Sequence, residues 1–195
     1  MKIVYVYLLP ALAAVLISGC KSPSAAFYTL SADAPAASVS AARPLSVVVG
    51  PVTIPDVVNR PQIVTRMEGN EVAVNEYARW AQPLKGEIAR VIADDLAALL
   101  NTPQVSVFDG AADPLTAWHV RVDVMRFESM PGENVTVDAR WTVRPPAKGR
   151  AIYGRSVALE AVSGPGMGAV VAAHNRALAT VSRDIAAAVG ANDAP

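Results

Sequence analysis

The sequence has very few of the residues that hold metals or form disulfides. One cysteine and two histidines occur among 195 residues. A single cysteine excludes an intrachain disulfide and a zinc site built from cysteines, and two histidines exclude most histidine-rich metal centres. We therefore expect neither a metal ion nor a cofactor in the folded protein.

An excess of charge of one sign is also lacking. Lys and Arg number 17, as do Asp and Glu, so the formal net charge is zero. An electrostatic nucleic-acid binder carries a basic surplus, and this class of function is excluded. Charged residues make up only 17% of the chain and hydrophobic residues 52%, a balance that argues against extensive disorder. The chain is expected to fold, with no nucleic-acid partner.

Long hydrophobic runs are missing except at the N terminus. Met1 and Lys2 precede an apolar run from Ile3 to Ile17, which Pro10 interrupts. This run is shorter than the about 20 residues that a membrane-spanning helix needs. A positively charged start, a short apolar stretch and small residues after it are typical of a secretory signal.

The end of this run, Ile17-Ser18-Gly19-Cys20, resembles the bacterial lipobox. In such signals the cysteine thiol receives a diacylglyceryl group, and the peptidase cuts directly before it. We therefore expect residues 1–19 to be removed and Cys20 to carry diacylglyceryl and an N-acyl chain such as palmitate, which anchors the protein to a bilayer. In enterobacterial lipoproteins, an Asp directly after the lipidated cysteine favours retention in the inner membrane. Lys21 and Ser22 follow here, which indicates the periplasmic leaflet of the outer membrane. The alternative is a buried cysteine in an uncleaved anchor helix.

The mature chain divides into a tether, a domain and a tail. Residues 20–44 combine the lipidated cysteine with a flexible tether rich in Ala, Ser and Pro, in which Ala26–Leu30 is expected to dock as a short strand on a sheet edge. A flexible tether of roughly 20 residues spans about 25 Å. Residues 45–190 are expected to form a single domain, and residues 191–195 a frayed tail.

Hydrophobic patterns predict the elements of the domain. The predicted strands are Leu45–Ile54, Ile63–Met67, Glu71–Asn75, Val105–Phe108, Trp118–Val124, Val135–Val143 and Ala151–Val162. Apolar residues at intervals of three and four predict one amphipathic helix from Pro83 to Leu100 and another from Met167 to Val189, ended by Gly190. Because the βαβ alternation is missing, we expect an α+β fold, with a mostly antiparallel sheet and both amphipathic helices packed on one face.

The register of the two long strands follows from their alternation. A two-residue turn at Pro131-Gly132 pairs Val122 with Trp141, Asp123 with Arg140, and Val124 with Ala139. Both apolar sets then lie on one face, as a half-buried sheet requires. Phe127 breaks the alternation, which indicates a bulge near Met125-Arg126. Asp123 and Asp138 are expected on the outward face, in cross-strand ion pairs.

Catalytic motifs are missing from the sequence. It has no Gly-rich phosphate loop between a strand and a helix and no Gly-x-Ser-x-Gly elbow. His119 and His174 are expected to be structural, and Asp94-Asp95 to lie on a solvated helix face with Arg90 as partner. A lipid-linked Cys20 cannot act as a nucleophile. We therefore expect that the protein is not an enzyme.

The segment Ile54–Leu84 carries a cluster of the residue types that protein interfaces favour, Arg and Trp. Its motifs Ile54-Pro55-Asp56, Asn59–Arg66 and Arg79–Leu84, with Phe27-Tyr28-Thr29-Leu30 upstream, resemble the PqiC/YmbA family. These proteins are ABC-type transport auxiliary lipoproteins, also called membrane-integrity-associated transporter subunits. We expect the segments Asn59–Arg66 and Arg79–Leu84 to lie together and to shape a partner-binding surface. The candidate partner-binding residues are Arg60, Gln62, Arg66, Arg79 and Trp80.

The resemblance implies an outer-membrane lipoprotein that faces the periplasm. Family members accompany MCE-domain proteins, which carry lipid between the two membranes, or subunits of ABC transporters. The chain would be their non-catalytic dock on the outer membrane, and a ring-shaped homo-oligomer would suit a channel partner. Such a role needs only an anchor, a tether and a surface that binds the partner.

Three alternatives stay open. The segments Asn59–Arg66 and Arg79–Leu84 could serve only to stabilise the junction between the hairpin and the helix, without binding a partner. The domain could be a lipid-binding module that holds an acyl chain between sheet and helices, a reading that a tightly packed core would oppose. It could also be a purely structural outer-membrane lipoprotein.

Overall fold

The structure, a computed structural model, describes residues 23–35, 45–107, 116–147 and 149–193. The expectations for the signal segment 1–19 and for the lipidation of Cys20 lie outside the described residues.

The strands are β1 Ala26–Tyr28, β2 Ser46–Thr53, β3 Gln62–Arg66, β4 Val72–Trp80, β5 Val105–Ser106, β6 Ala117–Met130, β7 Asn134–Arg144 and β8 Ile152–Ala161. The helices are α1 Leu84–Leu100 and α2 Gly166–Asn192.

The strands of the described ranges form two sheets. A three-stranded sheet has the order β1-β4-β3, and a five-stranded sheet has the order β5-β2-β6-β7-β8. The two helices contact each other and the five-stranded sheet. Buried residues alternate along β6 with half-buried or exposed ones, so the helices cover a single face. The predicted α+β class is confirmed.

The sheets are mixed, so the expectation of a mostly antiparallel sheet is wrong. β1 runs parallel to β4, and β2 runs parallel to both β5 and β6. The pairs β3–β4, β6–β7 and β7–β8 are antiparallel. Local turns reveal hairpins in a sequence, whereas parallel neighbours need a long crossover. Here the crossover from β2 to β5 contains the β3–β4 hairpin and α1.

The predicted register of β6 and β7 is confirmed. Val122 faces Trp141, and the bulge lies between Val124 and Arg126 as expected. The turn is longer than expected, because Met130 pairs with Asn134 across the three residues 131–133. The turn has one residue more than expected, and the bulge in β6 shifts the register back by one residue. The buried faces therefore still match.

Both helices match their predicted stripes, with small differences at the ends. Pro83 precedes α1 as its N-cap rather than lying inside the first turn. Asn101 closes α1 in a left-handed conformation with φ 51°, which a short polar side chain tolerates. Helix α2 continues through Gly190 to Asn192. The expected stop at Gly190, and the start of the tail at Ala191, are therefore too early.

Ion pairs on the outward face of the five-stranded sheet differ in part from the expected ones. Asp138 accepts two hydrogen bonds from Arg155 across the β7–β8 pair, at 2.9 and 2.7 Å. Asp123 is opposite Arg140, but its ion pair is with Arg121 on its own strand, at 3.1 Å. The pKa of each carboxyl is held below its usual range, chiefly by these arginine hydrogen bonds.

The segment after β1 is fixed to the helices. Glu87 of α1, which is buried, accepts a hydrogen bond from the Leu30 backbone N–H at 2.9 Å. Asp95, about two turns further along α1, accepts hydrogen bonds from the backbone N–H groups of Asp33 and Ala34, both at 3.0 Å. The expected docking of the first strand is confirmed, but the folded body begins at β1. The expected tether of roughly 20 flexible residues is therefore too long.

No helix in the described part of the chain combines the length and hydrophobicity needed to cross a membrane.

Candidate functional site

The two Arg-containing motifs lie side by side, as the sequence suggested. Gln62 of β3 is paired with Arg79 of β4, and the Trp80 backbone N–H donates to the Pro61 carbonyl at 2.7 Å. β4 then leads through residues 81–83 into α1. The loop before β3 and the connection after β4 are therefore held against each other by strand pairing.

A surface cavity of about 300 Å³ opens at this junction. Its lining comes only from the two motifs and is Asn59, Arg60, Pro61, Trp80, Ala81, Gln82, Pro83 and Leu84. Trp80 and Leu84 are buried, at 5% and 2% exposure. We call this cavity, with its eight lining residues, the junction pocket. It can receive an apolar side chain from a partner, although it is too small to hold a whole lipid.

Trp80 belongs to both the core and the junction pocket. Its ring meets that of Phe127 edge to face, with centroids 6.3 Å apart and planes at 66°. Phe127 lies on β6, so Trp80 joins the small sheet to the large one. A change at Trp80 will alter packing as well as the pocket, which makes it a poor probe of binding.

Arg60 is the cation of the junction pocket. It is exposed, and its backbone N–H donates to the Val58 carbonyl at 2.9 Å. Its guanidinium forms no ion pair with any residue that the structure describes. A free guanidinium beside an apolar pocket is suited to a carboxylate next to an apolar side chain.

Glu76 holds Gln62 and Arg79 together next to this pocket. Its carboxylate accepts from Arg79 Nη2 at 3.2 Å and from Gln62 Nε2 at 3.3 Å. Arg79 Nε also donates to the Glu76 carbonyl at 3.0 Å. The sequence reasoning missed Glu76, although its spacing of three residues from Arg79 was a usable signal. Arg79 is thus a structural cation already matched by its own partner.

Arg66 lies apart from the other four candidates. Its Nη2 donates to Glu128 of β6 at 2.7 Å, which ties the small sheet to the large one. Glu128 also accepts from Arg126 at 2.6 Å. Hydrogen bonds from Arg126 and then Arg66 hold the pKa of Glu128 below its usual range against the opposing effect of burial. The geometry gives Arg66 a role in the sheet junction rather than in the pocket.

A Ser–His pair in the core lies within hydrogen-bond distance, as in a catalytic pair, but it is buried and closed to a substrate. Ser129 Oγ lies 2.8 Å from His174 Nε2. His174 is fully buried and stacks on Phe127 at 3.9 Å between ring centroids, and its Nδ1 has no hydrogen-bond partner in the described ranges. A catalytic histidine needs a third group on this nitrogen and a path for substrate. Burial lowers the pKa of His174 to about 3, which agrees with the expected structural role.

Neither metal chemistry nor an internal acyl chain is favoured by the described residues. Within residues 23–35, 45–107, 116–147 and 149–193, no group of three or more His, Cys, Asp or Glu side chains could hold a metal ion. Between the sheet and the helices lies one packed core, which includes Leu96, Val122, Val137 and Leu178. Their packing counts against a lipid held between sheet and helices.

Comparison with known structures shows the same fold in other proteins. A crystal structure of an uncharacterized protein has a TM-score of 0.69 and 17% sequence identity, and the match covers 85% of this chain and 99% of that one. A protein from Xanthomonas campestris, assigned to the family DUF330, has a TM-score of 0.65 and 18% identity, over 82% and 92% of the two chains. No curated protein matches the sequence.

The sequence also matches a family model. The model is that of the ABC-type transport auxiliary lipoprotein component, and residues 28–186 match it. This range contains the junction pocket, both helices apart from the end of α2, and all strands except part of β1. The resemblance noted in the sequence is thereby confirmed: the chain belongs to the PqiC/YmbA-type family of ABC-type transport auxiliary lipoproteins.

Proposed function

We propose that the protein is a non-catalytic, lipid-anchored subunit that docks an MCE or ABC-type lipid transport system to the outer membrane. The lipid on Cys20 would hold it in the periplasmic leaflet. The observation that supports a docking role is the junction pocket, where Arg60, which pairs with no residue that the structure describes, lies beside an apolar hollow. The lipobox-like sequence supports the anchor, and the family supports the link to a transporter.

The pocket suits a weak and specific contact. An apolar side chain of the partner fills the hollow above Trp80 and Leu84, and a neighbouring carboxylate pairs with Arg60. Anchoring both proteins at one membrane system raises their local concentration towards the millimolar range. A contact of modest affinity is then sufficient, and no chemical step is required of this chain.

The test is a charge reversal at the pocket. Arg60→Glu should weaken binding of the lipidated protein to an MCE-domain protein of the same organism by about tenfold, which corresponds to about 1.4 kcal/mol. The melting temperature should not change, because Arg60 has no ion-pair partner among the described residues. Arg183→Glu, an equal charge reversal on the exposed face of α2, is the matched control and should leave binding unchanged.

One further variant separates docking from stability. Arg66→Ala should lower the melting temperature without weakening binding, because Arg66 bridges the two sheets away from the pocket. If Arg60→Glu instead lowers the melting temperature and leaves binding intact, the motifs only stabilise the hairpin–helix junction and the docking proposal is wrong. Self-association, which would suit a channel partner, is measured by light scattering on the same samples.

A further inference from the structure

The outer face of the three-stranded sheet is apolar and exposed. Phe27 is in register with Arg79 of β4, which is in turn opposite Gln62 of β3. Residues opposite each other in a sheet lie on one face, and alternate residues of a strand share that face. Phe27 and Tyr77 are its exposed aromatic members. The register shift between Gln62 and Ile63 places Val74 and Val72, the partners of Val64 and Arg66, on the same face, and both are exposed.

The opposite face of the same sheet is turned inward. Tyr28 is in register with Trp80, and both pack on the hydrophobic core. The alternation along β1 therefore leaves Phe27 outward, with 65% of its side chain exposed. Tyr77, two residues before Arg79 on β4, is 52% exposed. Two aromatic rings are thus presented to the surroundings by a sheet whose other side is firmly attached to the domain.

The short stretch of chain between Cys20 and β1 limits how far the three-stranded sheet can lie from a lipid on Cys20. Six peptide units separate Cys20 from Ala26, and fully extended they span about 20 Å. This is less than the roughly 30 Å diameter of a small domain. A lipid on Cys20 therefore keeps the β1 edge of the domain on the side that faces the bilayer, whereas strand β8 belongs to the other sheet.

We propose that the outer face of the three-stranded sheet, led by Phe27 and Tyr77, rests on the bilayer that holds the Cys20 lipid. The inference rests on the anchoring part of the proposed function. Aromatic side chains favour the interface between lipid and water. Among the described residues, the charges of this face are already matched within the protein: Arg79 pairs with Glu76, and Arg66 of β3 pairs with Glu128. The contact therefore depends on apolar insertion rather than on anionic lipid. The domain would thereby hold one orientation, instead of turning freely on its anchor.

The test is a fluorescent reporter on that face. Phe27→Trp is introduced into the full lipidated protein, which is reconstituted in vesicles of phosphatidylethanolamine and phosphatidylglycerol with or without bromine on the acyl chains. The native tryptophans are buried and supply the background: Trp80, Trp118 and Trp141. We expect a blue shift and a loss of the added emission in brominated vesicles. Tyr77→Trp should behave in the same way.

The matched control is Tyr153→Trp on β8, the most exposed aromatic position of the other sheet at 76%. Its added emission should not be quenched. Equal quenching at both sites, or none at Phe27→Trp, would overturn the proposal. A face covered by a second copy would also leave Phe27→Trp unquenched, with a larger mass in light scattering.

The proposed function is tested separately on the same samples. The intact mass shows first whether Cys20 carries lipid, and a protein without it refutes the anchor itself. A lipidated protein that still binds its MCE-domain partner but shows no quenching at Phe27→Trp refutes only the orientation.

Discussion

The Asp95 carboxylate of α1 accepts a hydrogen bond of 2.9 Å from the Ser182 hydroxyl of α2, and both side chains are fully buried. The other oxygen of the same carboxylate accepts from the backbone N–H groups of Asp33 and Ala34. One acidic residue thus joins both helices to the segment that follows β1. Burial raises the pKa of Asp95, while the three hydrogen bonds oppose that rise.

Removing this carboxylate should be costly. Asp95→Ala leaves two backbone N–H groups and a buried hydroxyl without their acceptor, and we expect a loss of about 2–4 kcal/mol in the free energy of unfolding. Urea denaturation measures it. The neighbour Asp94 is the matched control, because it forms an exposed ion pair with Arg90 at 3.0 Å. Asp94→Ala should change stability by less than about 0.5 kcal/mol; equal effects would refute the role of Asp95.

His174 should make the fold sensitive to mild acid. Its pKa is lowered to about 3 by burial, from an ordinary value of 6.5. Between these values the unfolded chain binds a proton that the folded chain does not, so stability falls as the pH drops below 6.5. The slope is at most about 1.4 kcal/mol per pH unit.

The slope is measured by urea denaturation between pH 7 and 5. This window avoids the more acidic range in which Asp123, Glu128 and Asp138, whose pKa values are lowered, lose their own contribution. Asp95, with its raised pKa, acts in the opposite direction. The double variant His174→Phe, Ser129→Ala removes the titrating ring and its hydroxyl partner and should flatten the slope. An unchanged slope would assign the effect to other groups.

Gly154 allows Trp141 to lie flat across the β7–β8 pair. The two residues are in register, and a Cβ at position 154 would fall inside the Trp141 indole. Gly154→Ala should therefore cost about 1–3 kcal/mol by overpacking, and it should weaken the 3.0 Å bond from Trp141 Nε1 to Ser156 Oγ. Thermal denaturation and near-ultraviolet circular dichroism record both effects.

The matched glycine control is Gly168 in α2. A Cβ there meets nothing within 4 Å. Gly168→Ala should shift stability by less than about 1 kcal/mol, in the stabilising direction, because alanine loses less chain entropy on folding than glycine. A large loss at Gly168, or none at Gly154, would contradict the packing described for Trp141.

The core should behave as a packed interior and not as a lipid pocket. Leu96 of α1 is fully buried, and Leu96→Ala should cost about 2–5 kcal/mol through the cavity it leaves. Leu159→Ala, on the exposed face of β8, should cost less than about 0.5 kcal/mol. Lipid that copurifies with the wild-type protein, together with a tolerated Leu96→Ala, would revive the lipid-binding alternative.

Much of the candidate site could be anticipated from the sequence. The motifs around Arg60 and Arg79 were expected to lie together, and strand pairing brings them together because they flank a single hairpin. Arg66 could not be separated from them in advance. Its partner Glu128 lies 62 residues away in the chain, and ion pairs over such separations leave no local pattern.

The sequence by itself determined the features that depend on near neighbours along the chain: the stripes of both helices, the alternation of the long strands and the β6–β7 register with its bulge. A period of two or 3.6 residues assigns a face to each side chain without knowledge of the rest of the fold. Only the tertiary structure decided which element covers each face. Asp95 was expected in solvent beside Asp94, yet it is buried, because α2 and the segment after β1 close over it. The parallel pairings of β1 with β4 and of β2 with β6 were likewise set by contacts between segments far apart in sequence, where burial of the common core outweighs local preference.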